Sequence, residues 1–185
     1  MSLVKATTFA IVKAEISLNG GTSTPASWTE IPLAADGTIK YAHSKSEVTD
    51  GEGNLFQTWR HSPRATVMLR TKVAFPRLME MISGSPVSSA QGADLVYFGR
   101  QEELDPNNVR LRLQCRAKNY DTGAEGYAEA IVFNAQGGMA PFSMGETKQG
   151  EFAFEFDSNK STYDAAGNVI PAAYGSFHII KSTLS

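Results

Sequence analysis

The sequence predicts a mainly β protein: an antiparallel β-sandwich or partly closed β-barrel with one short flanking helix. Three observations predict it. Apolar and polar residues alternate with period two through several segments, which suits antiparallel strands with one packed face. Helical periodicity occurs in a single place, around residues 75–83. The chain of 185 residues is long enough for one domain with a sizeable core and short for two, so residues 1–185 are read as a single domain.

The strands follow in order. From Phe9 to Leu18, Ala10, Val12, Ala14, Ile16 and Leu18 alternate with Lys13, Glu15 and Ser17, which describes a strand with one wet face. A short piece near Trp28–Leu33 and another at Thr38–Ala42 come next. In Ala65–Val73, Val67, Leu69 and Val73 oppose Thr66, Arg70 and Lys72. Phe75, Leu78, Met79 and Ile82 then share one helical face. Pro76 suits that helix's first turn, where its missing N–H costs nothing, and Gly84 suits its end.

Asp94–Phe98 forms another strand, and Val109–Lys118 gives the clearest alternation in the chain. There Val109, Leu111, Leu113, Cys115 and Ala117 alternate with Arg110, Arg112, Gln114, Arg116 and Lys118. Tyr127–Asn134 is apolar on both faces and is expected to be a covered, central strand. In the next strand Phe152, Phe154 and Phe156 face away from Glu151, Glu155 and Asp157, and Tyr174–Lys181 completes the set. Between these last two, residues 158–173 are expected to form a hairpin extension turning around Gly167. Two connections are long: Thr22–Ser27 and His43–Pro63. A polar loop of the second length that carries Leu55, Phe56 and Trp59 suggests either a partner or the start of a core edge strand.

Composition narrows the function. With 17 Lys and Arg against 19 Asp and Glu, the net charge of −2 lacks the basic excess of a phosphate-gripping protein. One cysteine, Cys115, permits no intrachain disulfide and lies on the apolar side of its strand as a small hydrophobe. No apolar run reaches the ~20 residues that cross a bilayer, and Lys13 and Glu15 interrupt the N-terminal apolar stretch, so neither membrane nor export signal is expected. Three scattered histidines, His43, His61 and His178, offer no metal-ligand spacing, and no phosphate-binding glycine loop follows a strand. No catalytic residue, metal or cofactor is expected, and the chain is read as a non-enzyme.

The charged rows carry more weight. Arg110, Arg112 and Arg116 on one strand, and Glu151, Glu155 and Asp157 on another, are either wet sheet surfaces or complementary rows that register neighbouring subunits.

A short helix after an early strand, antiparallel strands on both sides and a long polar loop in the first third resemble the major tail tube protein of long, flexible-tailed bacteriophages. That fold is shared with the type VI secretion tube protein. The resemblance rests on Phe9–Leu18, His43–Pro63, Ala65–Ser83 and the strand run Val109–Lys181, which together cover most of the chain.

It implies a structural subunit assembling into hexameric rings that stack into a tube, the conduit for DNA passage into the host. Its partners would be further copies of itself, the tape-measure protein, tail terminator and initiator proteins, and double-stranded DNA in transit without sequence-specific binding. It would be assembled in the host bacterial cytoplasm and reside in the virion tail. On this resemblance the loop 43–63 reaches the next ring, with Asp50, Glu52, Leu55, Phe56, Trp59 and Arg60 as stacking candidates. Arg110, Arg112 and Arg116 become subunit-contact candidates, and Glu151, Glu155 and Asp157 possible lumen-facing acids. The alternatives are a β-sandwich module that recognises carbohydrate or a host surface, and a capsid-decoration protein.

Overall fold

The fold was analysed in a computed structural model, which describes residues 6–32, 34–49, 52, 55–72, 76–84, 88–90, 93–95, 106–139, 143–145 and 148–180. Its main body is a nine-stranded antiparallel sheet. The strands are β1 (Ala6–Leu18), β2 (Thr29–Glu30), β3 (Ala34–Thr49) and β4 (Leu55–Thr71), followed by helix α1 (Pro76–Ser83). Then come β5 (Ser88–Ala90), β6 (Ala93–Leu95), β7 (Val109–Asn119), β8 (Glu125–Met139), β9 (Ser143–Gly145) and β10 (Lys148–Ser158). The chain finishes with β11 (Ser161–Tyr163), β12 (Val169–Ala173) and β13 (Gly175–Ile180). The main path runs β2-β1-β7-β8-β10-β4-β3, while β5–β6 and β11–β12 form separate two-stranded ribbons.

The sheet does not close into a barrel, because its end strands β2 and β3 are not bonded to each other. It curls far enough for its ends to meet. A Cβ added to Gly37 of β3 would lie 2.9 Å from Ile11 Cδ1 and 3.1 Å from Leu113 Cδ1, so the start of β3 lies directly over β1 and β7.

The core fills the concave side. Val67 and Leu69 of β4 stand opposite Phe156 and Phe154 of β10, all four fully buried. Ile16, Val109, Leu111, Val132 and Ala135 continue the layer from β1, β7 and β8. Helix α1 caps it with Leu78, Met81 and Ile82 buried and Met79 partly so, and Gly84 at φ 73° donates to the Glu80 carbonyl at 2.9 Å to end the helix. Met81 was not among the residues assigned to the apolar helix face, although its i, i+3 relation to Leu78 places it there.

β8 is the covered central strand. Its first half shares one edge with β13 (Val132 opposite Gly175), and its second half gives the same edge to β10 (Ala135 opposite Ser158).

Two expectations are corrected. Residues 43–63 are not one long loop: their described parts are the paired distal halves of β3 and β4, with Ser44 opposite His61, Ser46 opposite Trp59 and Thr49 opposite Leu55. Polar side chains do not prevent a strand where the cross-strand ladder satisfies the backbone.

The odd face of β1 is also not wet, since Glu15 and Ser17 are buried beside Ala14 and Ile16. A register irregularity between Ile11 and Lys13 shifts the alternation, so Ile11 and Ala14 both lie opposite core-side positions of β7, Cys115 and Leu113. The residues 19–28 connection then covers the other side, where the Ser27 N–H donates to Ser17 Oγ at 2.9 Å.

Candidate functional site

Four features bear on function: the β3–β4 arm, the arginines of β7, the acids of β10 and an apolar cleft. The arm begins where β10 stops. β10 pairs with β4 only from Phe152–Thr71 to Ser158–Ala65, while β3 stays paired with β4 out to Thr49–Leu55. Beyond Ala65 the arm is therefore a ribbon with no third strand among the described residues, about 25 Å long at ordinary strand rise. Leu55, Phe56, Trp59 and Arg60 occupy strand positions on its β4 side. Glu52 lies exposed near its tip, and Asp50 falls outside the described residues.

The three arginines of β7 have different fates. Arg110 is fully buried, and its guanidinium donates to the carbonyls of Thr24 at 2.6 Å and Thr22 at 2.5 Å. Burial lowers its pKa below the usual arginine value, and the Asp164 carboxylate partly offsets this. Its role is internal, and the expectation that it faces a neighbouring subunit is corrected.

Arg112 is mostly buried as well. Its Nε and Nη2 both bind Glu15 Oε2, its Nη1 lies 3.8 Å from Glu129 Oε2, and its Cζ sits 4.6 Å from the centre of the Trp28 ring. Lys13 reaches the other Glu15 oxygen at 2.9 Å, and Gln114 Nε2 donates to Glu129 Oε2 at 2.8 Å. Two cations and two carboxylates balance in this polar layer, and their opposed positions on β1, β7 and β8 fix one register. Only Arg116 is exposed as its alternation suggested. The alternation located these residues correctly on one face. It could not show that residues 19–28 fold over that face.

Glu155 and Asp157 are exposed on the face of β10 that alternates with Phe154 and Phe156, and Glu151 lies earlier in the same strand. Register places Asp157 beside Thr66 and Lys40, so the acids share their face with an exposed cation.

The cleft, of about 1020 Å³, has no counterpart in the sequence reading. It opens where the curled sheet leaves a gap between β3 and β13. Ile11, Leu113 and Cys115 line it from β1 and β7. Tyr41 and Phe177 stand at its mouth, 64% and 60% exposed, and the Tyr41 ring meets Tyr174 edge-on at 5.8 Å. Lys160 lies at the rim with its ammonium 5.9 Å from the Tyr174 ring centre. Burial raises the Cys115 thiol pKa, against a smaller opposing effect of the Ala128 backbone. Half-exposed Leu113 and Cys115 explain why the apolar side of β7 is not wholly core.

Among the described residues no group of three or more His, Cys, Asp or Glu side chains converges as a metal set would. No described helix is long and apolar enough to cross a membrane.

Neither a protein-family pattern nor a curated protein matches the chain. Among solved structures it is similar to a chain of an extracellular contractile injection system, the PVC sheath-tube complex in its extended state. That likeness has 12% identity and a TM-score of 0.47, and covers 91% of this chain and 89% of the other.

Proposed function

We propose that the chain is a structural subunit of a tail tube, working by self-assembly into stacked, hexameric rings rather than by catalysis. The observation that supports this reading best is the β3–β4 arm. A lone two-stranded ribbon is marginal in water, and a strand of this length with an unpaired edge is an aggregation hazard unless something covers it. Assembly covers it. The edges of β3 and β13 that no described strand pairs, together with the exposed apolar side chains Ile39, Tyr41 and Phe177, are surfaces of the same kind.

On this reading the arm, with Glu52, Leu55, Phe56, Trp59 and Arg60, reaches the adjacent ring, and Asp50 is kept as a stacking candidate on sequence alone. Arg116 remains a subunit-contact candidate. Glu151, Glu155 and Asp157 remain lumen candidates, and DNA passes without sequence-specific contact. Tape-measure, terminator and initiator proteins would be the further partners, in a virion tail assembled in the bacterial cytoplasm.

Negative-stain microscopy with light scattering tests the reading. Rings or tubes with six-fold end views, lost when residues 45–60 are replaced by a tight turn, are the expected result. A protein that remains monomeric at high concentration and binds glycans would replace it with a recognition module.

A further inference from the structure

The turn between β7 and β8 is built as a rigid pedestal for one aromatic side chain. The Asn119 N–H donates to the Ala124 carbonyl at 2.8 Å, and the Gly123 N–H to the Asn119 carbonyl at 2.9 Å. Asn119 Oδ1 accepts from the N–H groups of Asp121 at 2.9 Å and Thr122 at 3.1 Å. On this pedestal Tyr120 is 77% exposed. A large apolar ring held out on an ordered turn loses little conformational freedom on binding, which is what a contact anchor requires.

The charges nearby are Lys118, Asp121 and Glu125, all exposed, so the turn is net negative by one. The cleft is its complement. It is apolar and aromatic, none of its described lining residues is acidic, and Lys160 stands at its rim. Tyr120 does not line that cleft, so any docking between the two joins separate molecules.

We propose that the Tyr120 turn of one copy docks in the β3–β13 cleft of the next, with Asp121 facing Lys160. This inference rests on the self-assembly reading and adds the surfaces that meet. A knob and a cleft at different places on one chain make a head-to-tail contact, which repeats into a ring when the rotation closes.

Cys115, the only cysteine in the sequence, lines the cleft and reports its occupancy. Three results are expected. Alkylation of Cys115 slows on assembly. Tyr120→Ala weakens association about tenfold. Asp121→Lys and Lys160→Asp each weaken it about threefold, while the pair together restores it. All three positions are surface-exposed, so far-UV circular dichroism should match the parent protein. In a fourth arm, Tyr120→Cys should form an intermolecular disulfide with the native Cys115 under mild oxidation.

Assembly with unchanged Cys115 reactivity and no effect of Tyr120→Ala would sink the inference and leave the self-assembly reading intact. Protection of Cys115 by a small apolar molecule without assembly would assign the cleft to a ligand and overturn it. A protein that assembles under no condition would end both readings together.

Discussion

The Nε and Nη2 groups of Arg112 converge on a single oxygen of Glu15, joining β7 to β1 through a mostly buried ion pair. Removing one partner of such a pair strands the other in a poorly hydrated place. Arg112→Met should cost about 3 kcal/mol in urea unfolding, and Glu15→Leu combined with it should recover most of that loss. Equal losses in the single and double variants would show that the pair contributes only packing.

Arg110 ties residues 22–24 to the sheet by two charge-assisted bonds. Arg110→Met should cost about 2 kcal/mol and speed amide exchange in the 19–28 connection. Arg110→Lys should not rescue it, because a single ammonium lacks the planar fork that serves two carbonyls.

Gly167 sits at φ 85°, and a Cβ there would fall 2.1 Å from the Ser23 carbonyl oxygen. Gly167→Ala should destabilise the β11–β12 turn by about 2 kcal/mol, from left-handed backbone strain together with the clash. The amide of Ala26, bonded to the Ala165 carbonyl at 2.8 Å, should exchange faster in the variant.

Asp164 holds the same turn from outside. Its pKa is lowered, first by the Asn168 side chain and then by backbone N–H groups, including that of Asn168. A depressed folded pKa adds stability above the unfolded value near 3.9 and loses it as pH falls through the folded value. Amide exchange at Asn168 should therefore accelerate, relative to the sheet, only as acidification passes below that range. Asp164→Asn should remove the pH dependence.

Burial raises the Cys115 pKa, so less thiolate is present at pH 8 than in a free cysteine peptide. Alkylation of the unassembled protein should be slower than in the unfolded chain, with its pH profile displaced upward. The sign for stability follows: the neutral thiol is favoured in the fold. That contribution is complete below the unfolded value near 8.5 and is lost as pH rises through the folded one. A profile coinciding with that of the unfolded chain would contradict the burial argument.

Period-two alternation made most strands legible, and the four-residue spacing of Leu78 and Ile82 located the helix. What alternation reports is which residues share a face, and not what covers that face. This is why Glu15, Arg110 and Gln114 read as wet although the 19–28 connection and neighbouring strands bury them. The β3–β4 arm was hidden for a different reason. The β3 half is mostly polar, and its strand character comes from pairing with β4, a non-local contact that composition does not record. The cleft was invisible because it exists only where two sequence-distant strands, β3 and β13, fail to meet.

The shared edge of β8 has a consequence for the order in which the fold matures during translation. β10 claims the second half of that edge, but the first half stays vacant until residues 175–180 emerge and β13 settles on it. While the residues between 132 and 175 are being made, the first half of the central strand thus exposes a bare ladder of hydrogen-bonding groups. The same segment supplies Phe177 and one wall of the cleft, so the cleft is complete only once β13 has formed. On the proposed assembly, a ribosome-bound subunit would thereby be kept from polymerising before its own sheet is complete.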